Sequence, residues 1–404
     1  MAAAKVSTDL EFLVRRAEHV EPRSELEQRL AEGRPLRVKY GVDPTAKEVT
    51  LGWAVPLRKL RQWQDAGHLA VLIVGDFTAR IGDPSGRSET RPQLSEEVVR
   101  ANAEACLEQL LRVLSEDNLE VRYNSEWLAG MDLPAVLRLT SNYTVARMLE
   151  RDDFAKRHKL NRPISIMEFL YPLLQGYDSV AVEADIELGG TDQLFNFMVA
   201  RDVQRAYGQR AQVALTMPLL VGTDGVQKMS QSLGNYISIR DDPEEMFGKV
   251  MSIPDELLPQ YASLAAGLDD AELSGISDAA VAGGPQVARA KRRVARAIVG
   301  LYHGEAAATA AEAAFDRQFK HREAPEDVPE AAIPLDAIDG ERVYLPRVLV
   351  GVGLAGSRAE ARRLISQGGV RVNGEPAKLE ELDRSELRGA LVQVGRRRFV
   401  RLTD

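Results

Sequence analysis

Between Leu36 and Ser88 the apolar and polar positions spell a strand, a tight Asp-Pro loop, a helix, a second strand and a Gly-rich loop: LRVKYGVDPTAKEVTLGWAVPLRKLRQWQDAGHLAVLIVGDFTARIGDPSGRS. That succession is one βαβ unit of a parallel sheet. Both strands run into loops rich in Gly, Asp and Pro, so polar groups gather at the sheet's carboxyl edge, where open α/β sheets bind ligands. The same reading extends along the chain. Residues 1–35 look helical, with Glu and Arg spaced around Leu and Val. Ser95 can cap a helix that begins Glu96-Glu97, and a short strand follows over Leu119 to Tyr123. Further helices over 134–160 carry a basic cluster of Arg147, Arg151, Lys156, Arg157 and Lys159. EFLYPLLQGYDSVAVEADIELGGTDQ predicts a helix and then a strand that stops at Gly189-Gly190. QVALTMPLLVG predicts a buried strand, TDGVQKMSQSLGN an exposed loop, and 240–320 an Ala-rich helical region.

Composition changes this picture little. An ordinary apolar fraction in 404 residues supports two or three packed domains rather than disorder. The first 22 residues carry acids early and lack an unbroken apolar run, so no secretory leader is expected. No run of about 18 apolar residues is present, so no membrane-spanning helix is expected either. The single cysteine, Cys106, reads as buried filler rather than a nucleophile. These features predict a cytoplasmic protein without membrane partners.

Charge changes it more. The net charge is −8, yet residues 342–404 hold 13 Lys/Arg against 7 Asp/Glu, a balance of +6 that leaves −14 on the rest. A small basic tail on an acidic body implies either a nucleic-acid contact confined to the C-terminus or a solvated surface. KHREAPEDVPEAAIPLDAIDG, with three prolines among acids, reads as a linker.

The dinucleotide fingerprint GxGxxG is absent, which disfavours an oxidoreductase. Gly82 to Gly86 followed by Arg87 is one residue short of a P-loop and has Arg where Lys belongs. Neither HExxH nor paired CxxC occurs, so no dedicated metal site is expected.

Four segments in order form a stronger constellation: DPTAKEVTLGW (43–53), GDPSG (82–86), YPLLQGYDS with GGTDQ (171–193) and KMSQS (228–232). With them the chain resembles the tyrosyl-tRNA synthetases, of the first class of aminoacyl-tRNA synthetases, from about Leu36 to Asn235. The resemblance implies a tyrosine pocket in which Asp83, Tyr171 and Gln175 meet the ammonium group and Asp178 meets the phenol. Lys39 and Gln193 belong to the same set, Gln193 near the reacting carboxylate. Lys39 stands where members of the family carry tyrosine or lysine. Buried polar partners of that kind reject phenylalanine because they would stay unpaired. The nucleotide set implied is Gly41, Asp43, Thr50, Gly52, Trp53, Gly190, Asp192 on the ribose, Lys228, Met229 and Ser230. Lys228, Thr45, Thr50 and Gln193 are the residues expected to act in catalysis. ATP with Mg²⁺, L-tyrosine and tRNA(Tyr) are the implied substrates and a homodimer the implied assembly. The tyrosine carboxylate is already a nucleophile, so positioning and charge stabilisation, not a strong base, would drive its attack on the α-phosphate.

The chain departs from that family at the nucleotide. The usual His-Ile/Leu-Gly-His reads Thr50-Leu51-Gly52-Trp53, and Gln231 replaces the second lysine of KMSKS. Gly52 still permits close approach to the helix start. Hydrogen bonds to charged groups contribute roughly 1.5–3 kcal/mol each. Losing one at Thr50 and one at Gln231 slows activation by roughly 10²- to 10⁴-fold. Two readings follow: a slowed tyrosine–tRNA ligase, or a catalytically silent paralogue that binds tyrosine or tRNA.

RVLVGVGLAGSRAEARRLISQGGVRVNGEPAKL resembles the small RNA-binding domain of a ribosomal small-subunit protein. Ser357 can cap a helix bearing Arg358, Arg362 and Arg363, ended by Gly368-Gly369 before a hairpin at Asn373-Gly374. With Arg371 and Arg396 to Arg398, Arg397 among them, these would neutralise phosphates. The expected architecture is α/β: a Rossmann-like parallel-sheet catalytic domain (1–235), a helical domain (236–320), a linker (321–340) and a small α+β RNA-binding domain (341–404).

Overall fold

A computed structural model describes residues 6–84, 94–319, 328–395 and 398–403. The chain divides into two compact units, Met1–Ala308 and Thr309–Asp404.

The first unit is built on a six-stranded sheet of β1 (His19–Glu21), β2 (Arg37–Val42), β3 (Leu69–Val74), β4 (Leu119–Tyr123), β5 (Ile186–Gly190) and β6 (Val213–Met217), in the order β1-β6-β5-β2-β3-β4. Strands β2 to β6 pair in parallel, and only β1 runs antiparallel, against β6. The chain leaves β2 towards β3 and β4 on one side, and β5 and β6 fill the other. The strand order therefore reverses between β2 and β5, and a crevice opens there beyond the carboxyl ends. β1 corrects the expectation of an all-helical 1–35. Three residues are too few to show a two-residue period, and β1 is held by its pairing of His19 to Glu21 with Thr216 to Ala214.

The helix between β2 and β3, Leu51–Asp65, starts where Thr50 Oγ1 accepts a hydrogen bond from the Trp53 amide. Its buried face includes Leu51, Ala54, Val55, Leu57, Leu60 and Trp63, the spacing that packs a helix onto a sheet. Pro56 lies inside it and lacks the N–H that would close on the Gly52 carbonyl. Ser95 caps the Glu96–Leu110 helix as expected. Cys106 is buried in that helix with its Sγ donating to the Ala46 carbonyl, and burial pushes the thiol up to about 11, in keeping with a packing role. The 240–320 region is helical, with its longest members at Asp270–Ala282, Gly284–His303 and Glu305–Phe319. Among the described residues no helix is long and apolar enough to cross a membrane.

The second unit holds β7 (Glu330–Ala332), β8 (Ile338–Asp339), β9 (Arg342–Tyr344), β10 (Val370–Val372), β11 (Glu375–Pro376), β12 (Glu381–Asp383), β13 (Leu391–Val394) and β14 (Arg398–Thr403) in two small sheets. Val343, Leu345, Val348, Leu349, Leu387, Val392 and Leu402 form its core. Asn373 and Gly374, both at positive φ, make the two-residue turn between β10 and β11. The linker expected over 321–340 needs correction. Residues 321–327 lie outside the described residues, but β7 pairs with β14 and Ile333 and Ala337 join the core, so the tract from 330 onward is part of this unit. Its prolines flank short edge pieces instead of marking an unstructured tether.

Candidate active site

The helix Ile166–Ala181 carries Tyr171, Gln175 and Asp178 at i, i+4 and i+7, which puts all three on one face. Its first turn is fixed twice. Ser165 and Glu168 form a reciprocal capping box, and Glu168 also pairs with Arg157, itself buried. Arg157, named from the sequence as one of a basic cluster, is thus a buried structural cation.

Asp178 is held from two sides. Trp127 Nε1 donates to one carboxylate oxygen at 2.8 Å and Asn124 Nδ2 to the other at 3.3 Å. Burial lifts its carboxyl to about 6, and Lys39, Trp127 and Asn124 oppose that rise. The Asn124 amide also donates to Thr78 Oγ1 at 2.9 Å. Thr78 in turn donates to Asp43 at 2.8 Å, and the Tyr171 phenol donates to the other Asp43 oxygen at 2.8 Å. Burial raises Asp43 to about 7 and drives the Tyr171 phenol well above its ordinary value, so Tyr171 stays neutral and donating. Asp43 follows β2 directly and lies against Gly75, where an added Cβ would stand 2.1 Å from its Oδ1. The carboxylate occupies space that only glycine leaves.

A second chain of hydrogen bonds reaches Asp83. Gln193 Nε2 donates to Asp83 at 2.8 Å, and Asn196 Nδ2 donates to Gln193 at 3.2 Å and to Gln175 at 2.9 Å. Arg151, 5 % exposed, donates to Asn196 at 3.1 Å with Asp83 3.8 Å away. Gln175 passes its own amide on to Glu187 at 3.0 Å. Lys39 lies beneath this network. The parallel register sets it beside Glu187, with an ion pair of 2.8 Å, and its remaining bonds go to Ser179 Oγ (2.7 Å) and the Gln175 carbonyl (3.0 Å). Fully buried, it supports Gln175 from the floor; the expected place in the pocket wall is corrected to this one, because a buried ammonium must spend its donors on the acceptors around it.

At the nucleotide end the KMSQS segment is laced onto the start of the Leu51–Asp65 helix. Thr50 bridges to Ser238, and backbone bonds of 2.9 Å join Leu51 to Ile237 and Ile239 to Val49. The Met229 side chain lies on Gly52, where a Cβ would meet it at 3.4 Å. Gln231 spends its amide on the Glu48 carbonyl, a neutral tie where a cation was expected. Thr50 is buried and its oxygen caps the helix. Trp53 is half-buried in the first turn. Lys228 is the cation of this end, 2.6 Å from Asp192 Oδ2 and with its side chain 45 % exposed. Gly190 ends β5 and Asp192 follows it; Gly41 lies on β2, and the Thr45 amide donates to the Asp43 carbonyl at 2.7 Å. Ser230 donates its backbone N–H to Asn235 at 2.9 Å. Ser85 and Gly86 lie outside the described residues.

In the second unit Ser357 caps the Arg358–Ser366 helix. Arg358 and Arg363 are exposed on it. Arg362, also exposed, donates to Tyr344 OH at 2.7 Å and lies 3.2 Å from Glu380, which offsets its charge. Arg371 donates to the Gly374 carbonyl in the adjoining hairpin. Arg397 lies outside the described residues.

Sequence reasoning missed Thr78, Asn124, Trp127, Glu187 and Asn196, and gave Arg151 no role beyond a basic cluster. For Glu187 a signal existed, an acid inside an apolar strand opposite an equally misplaced Lys39. Asn124 and Trp127 stand at i and i+3 about the start of the short Ser125–Leu128 helix, while Thr78 and Asn196 come from other elements.

Residues 31–320 match the family described as tRNA synthetases class I (W and Y), and residues 345–381 match the S4 domain. A protein of Moorella thermoacetica named tyrosine–tRNA ligase is 49 % identical over 402 residues, covering 98 % of this chain and 96 % of its own. Its namesake in Geobacter sulfurreducens is 48 % identical, covering 98 % and 99 %. The tyrosyl-tRNA synthetase of Archaeoglobus fulgidus, solved with L-tyrosine, superposes with a TM-score of 0.61 at 25 % identity over 75 % of this chain and 98 % of that one. A truncated mitochondrial tyrosyl-tRNA synthetase of Aspergillus nidulans gives a TM-score of 0.65 at 23 % identity over 77 % and 94 %, a likeness of fold. With a full-length likeness of this degree joined to a six-stranded sheet that opens at β2 and β5, the chain belongs to the tyrosine–tRNA ligases of the class I tRNA synthetases.

Proposed function

We infer that this chain joins L-tyrosine to tRNA(Tyr) at the expense of ATP, and that the observation carrying this reading is Asp178, held buried between Trp127 and Asn124 as an acceptor for a phenol. Seven residues earlier on the same helix, Tyr171 leads to the Asp43 and Asp83 end, where acceptors suit an ammonium group. A tyrosine lying between the two ends presents its carboxylate towards Gln193 and Asp192. One carboxylate oxygen forms a bond to the α-phosphorus of ATP while the bond to the bridging oxygen breaks and diphosphate leaves. The terminal ribose hydroxyl of tRNA then attacks the tyrosyl carbonyl and AMP departs with the bonding electrons. Lys228 meets the charge that grows on the departing phosphates, which is where a preorganised cation lowers the barrier. Its pairing with Asp192 holds it near the ribose side until substrate arrives.

Magnesium is proposed as part of the ATP complex. Among the described residues no group of three or more His, Cys, Asp or Glu side chains is arranged to hold a metal, so no step is routed through the protein's own ligands to it. The exposed apolar side chains Leu133, Leu137, Val145, Leu160 and Ile166 support a homodimer through that region. Dependence on ATP and tRNA supports a cytoplasmic location. The proposed domain limits keep the catalytic and helical parts within 1–320, and the RNA-binding part would grip tRNA through Arg358, Arg363 and Arg371.

Thr50, Trp53 and Gln231 support a slowed first step. Tyrosine-dependent exchange of labelled diphosphate into ATP tests the reading. Exchange well below that of a fully signatured relative but above background is expected. Folded protein that binds tyrosine yet shows no exchange would establish the silent paralogue instead.

A further inference from the structure

Away from the tyrosine and nucleotide positions, one flank of the Leu51–Asp65 helix borders a cavity of about 250 Å³. Arg58, Lys59 and Gln62 line it from the helix, Arg15 and Arg16 from the turn after the Leu10–Val14 helix, and Asp269 from the start of the Asp270–Ala282 helix. Four cations thus face one acid. Asp270, next in the chain, pairs with Arg15 at 2.6 Å and lies 3.9 Å from Arg16, but its side chain is 76 % accessible and water screens both pairs.

The cations are held in place mainly by uncharged acceptors. Lys59 Nζ donates to the carbonyls of Leu13 (3.2 Å) and Arg15 (2.7 Å) and to Gln62 Oε1 (2.6 Å). Arg16 donates to the Ser263 carbonyl at 2.8 Å and to the Leu268 carbonyl, and its buried Nε has no partner. Arg58 donates to the Ala265 carbonyl, and the chain closes on it at Gly267, where φ is +66° and a Cβ would stand 2.1 Å from its guanidinium. Arg16 itself sits at φ +66°, a conformation that costs a non-glycine residue free energy. Backbone dipoles fix these groups without cancelling their charge. The crowding is visible in Lys59, pushed down to about 8 by burial and by Arg16 and Arg15.

We propose that this cavity binds a phosphate group, taken up between Arg15, Arg16 and Arg58, with Lys59 adding its charge from the wall while its three N–H groups stay on the Leu13, Arg15 and Gln62 oxygens. Guanidinium forks match the oxygens of a tetrahedral oxyanion, and an entering anion relieves the repulsion among the cations. The space is large enough for a phosphate or a diphosphate. The phosphate belongs either to a free anion or to an RNA backbone.

Titration calorimetry of the full chain with inorganic diphosphate at low salt, and filter binding with tRNA, separate these sources. Lys59→Met removes one charge from the wall and is expected to weaken binding about tenfold or more, and Asp269→Asn to tighten it severalfold, as follows from a unit charge a few ångströms away. The second variant keeps the side-chain acceptor that caps the Asp270–Ala282 helix, and a gain of affinity has no explanation in misfolding. Opposite shifts with diphosphate establish a free anion, and opposite shifts with tRNA alone establish an RNA phosphate. If both variants bind both probes as the native chain does, the proposal is overturned.

Discussion

At the amino-acid end of the active site, Asp43, Asp178, Gln175 and Gln193 are each hydrogen-bonded by residues from other elements, and the network closes on a buried Lys39–Glu187 pair. At the nucleotide end, Lys228 stands half exposed beside Asp192, Thr50 uses its oxygen as a helix cap, and Gln231 is tied to a backbone carbonyl. The first region keeps discrimination in a rigid, fully partnered lattice, where removing one member leaves others unpaired. In the second, Lys228 has Asp192 as its carboxylate partner, and Thr50 and Gln231 bond to the backbone. On the proposed reading, selectivity and rate rest on separable parts of one cleft, and substitutions should move them independently.

The largest effect is expected at Lys228. Lys228→Ala should lower diphosphate exchange by about 10²- to 10³-fold, mostly in kcat, since it removes the cation facing the leaving group. A loss below tenfold would mean that charge at this end comes from elsewhere. In the opposite direction, the combined Thr50→His, Trp53→His and Gln231→Lys variant should raise exchange by about a hundredfold. An unchanged rate would show that the Gln231–Glu48 tie already holds the segment as a charge would. Asp178→Asn should cut kcat/KM for tyrosine by roughly 10- to 100-fold with phenylalanine little affected, because only tyrosine loses a charged partner. Equal losses for both amino acids would break the division drawn above.

The smallest effects concern pH. Asp43 and Asp178, raised to about 7 and about 6, hold protons in the folded chain that an unfolded chain releases. Their stabilising contribution is complete below the ordinary carboxylate range and is lost as pH rises through about 6 to 7. Thermal melts should therefore show Tm falling by a few degrees across that window, and by less in Asp43→Asn. Tyrosine affinity should move the other way, rising as Asp178 ionises and becomes a better acceptor for the phenol. If stability and affinity moved together with pH, the buried-acceptor account of Asp178 would fail.

The regular elements were legible wherever a run was long enough to show its period. The βαβ unit, the Ser95 and Ser357 caps, and a helix before the strand that stops at Gly189-Gly190 all lie where the sequence put them, and the structure adds that this helix, Ile166–Ala181, gathers Tyr171, Gln175 and Asp178 on one face. The three-residue β1 and β7 did not show, because pairing with a distant strand holds such fragments in place. Within the site, sequence supplied the residues that would meet a substrate but misplaced those that hold them. Lys39 read as wall and is floor, and Arg151 and Arg157, which read only as members of a basic cluster, are buried.

What the sequence determined alone, through the family its motifs resemble, is the kind of chemistry: acceptors for a phenol and an ammonium, a glycine at a helix start, and a weakened pair of phosphate-binding signatures. These depend on residue type and local spacing, and both are written along the chain. What only the tertiary structure decided is which of those groups are held, neutralised or turned aside. Thr78 comes from the loop after β3, Asn124 from the end of β4 and Asp43 from the end of β2, and their meeting is fixed by parallel pairing across the sheet. Side chains brought together from 35 or 46 residues apart leave no periodic trace, because the force that joins them, burial of polar groups that must then find partners, acts across space and not along the chain.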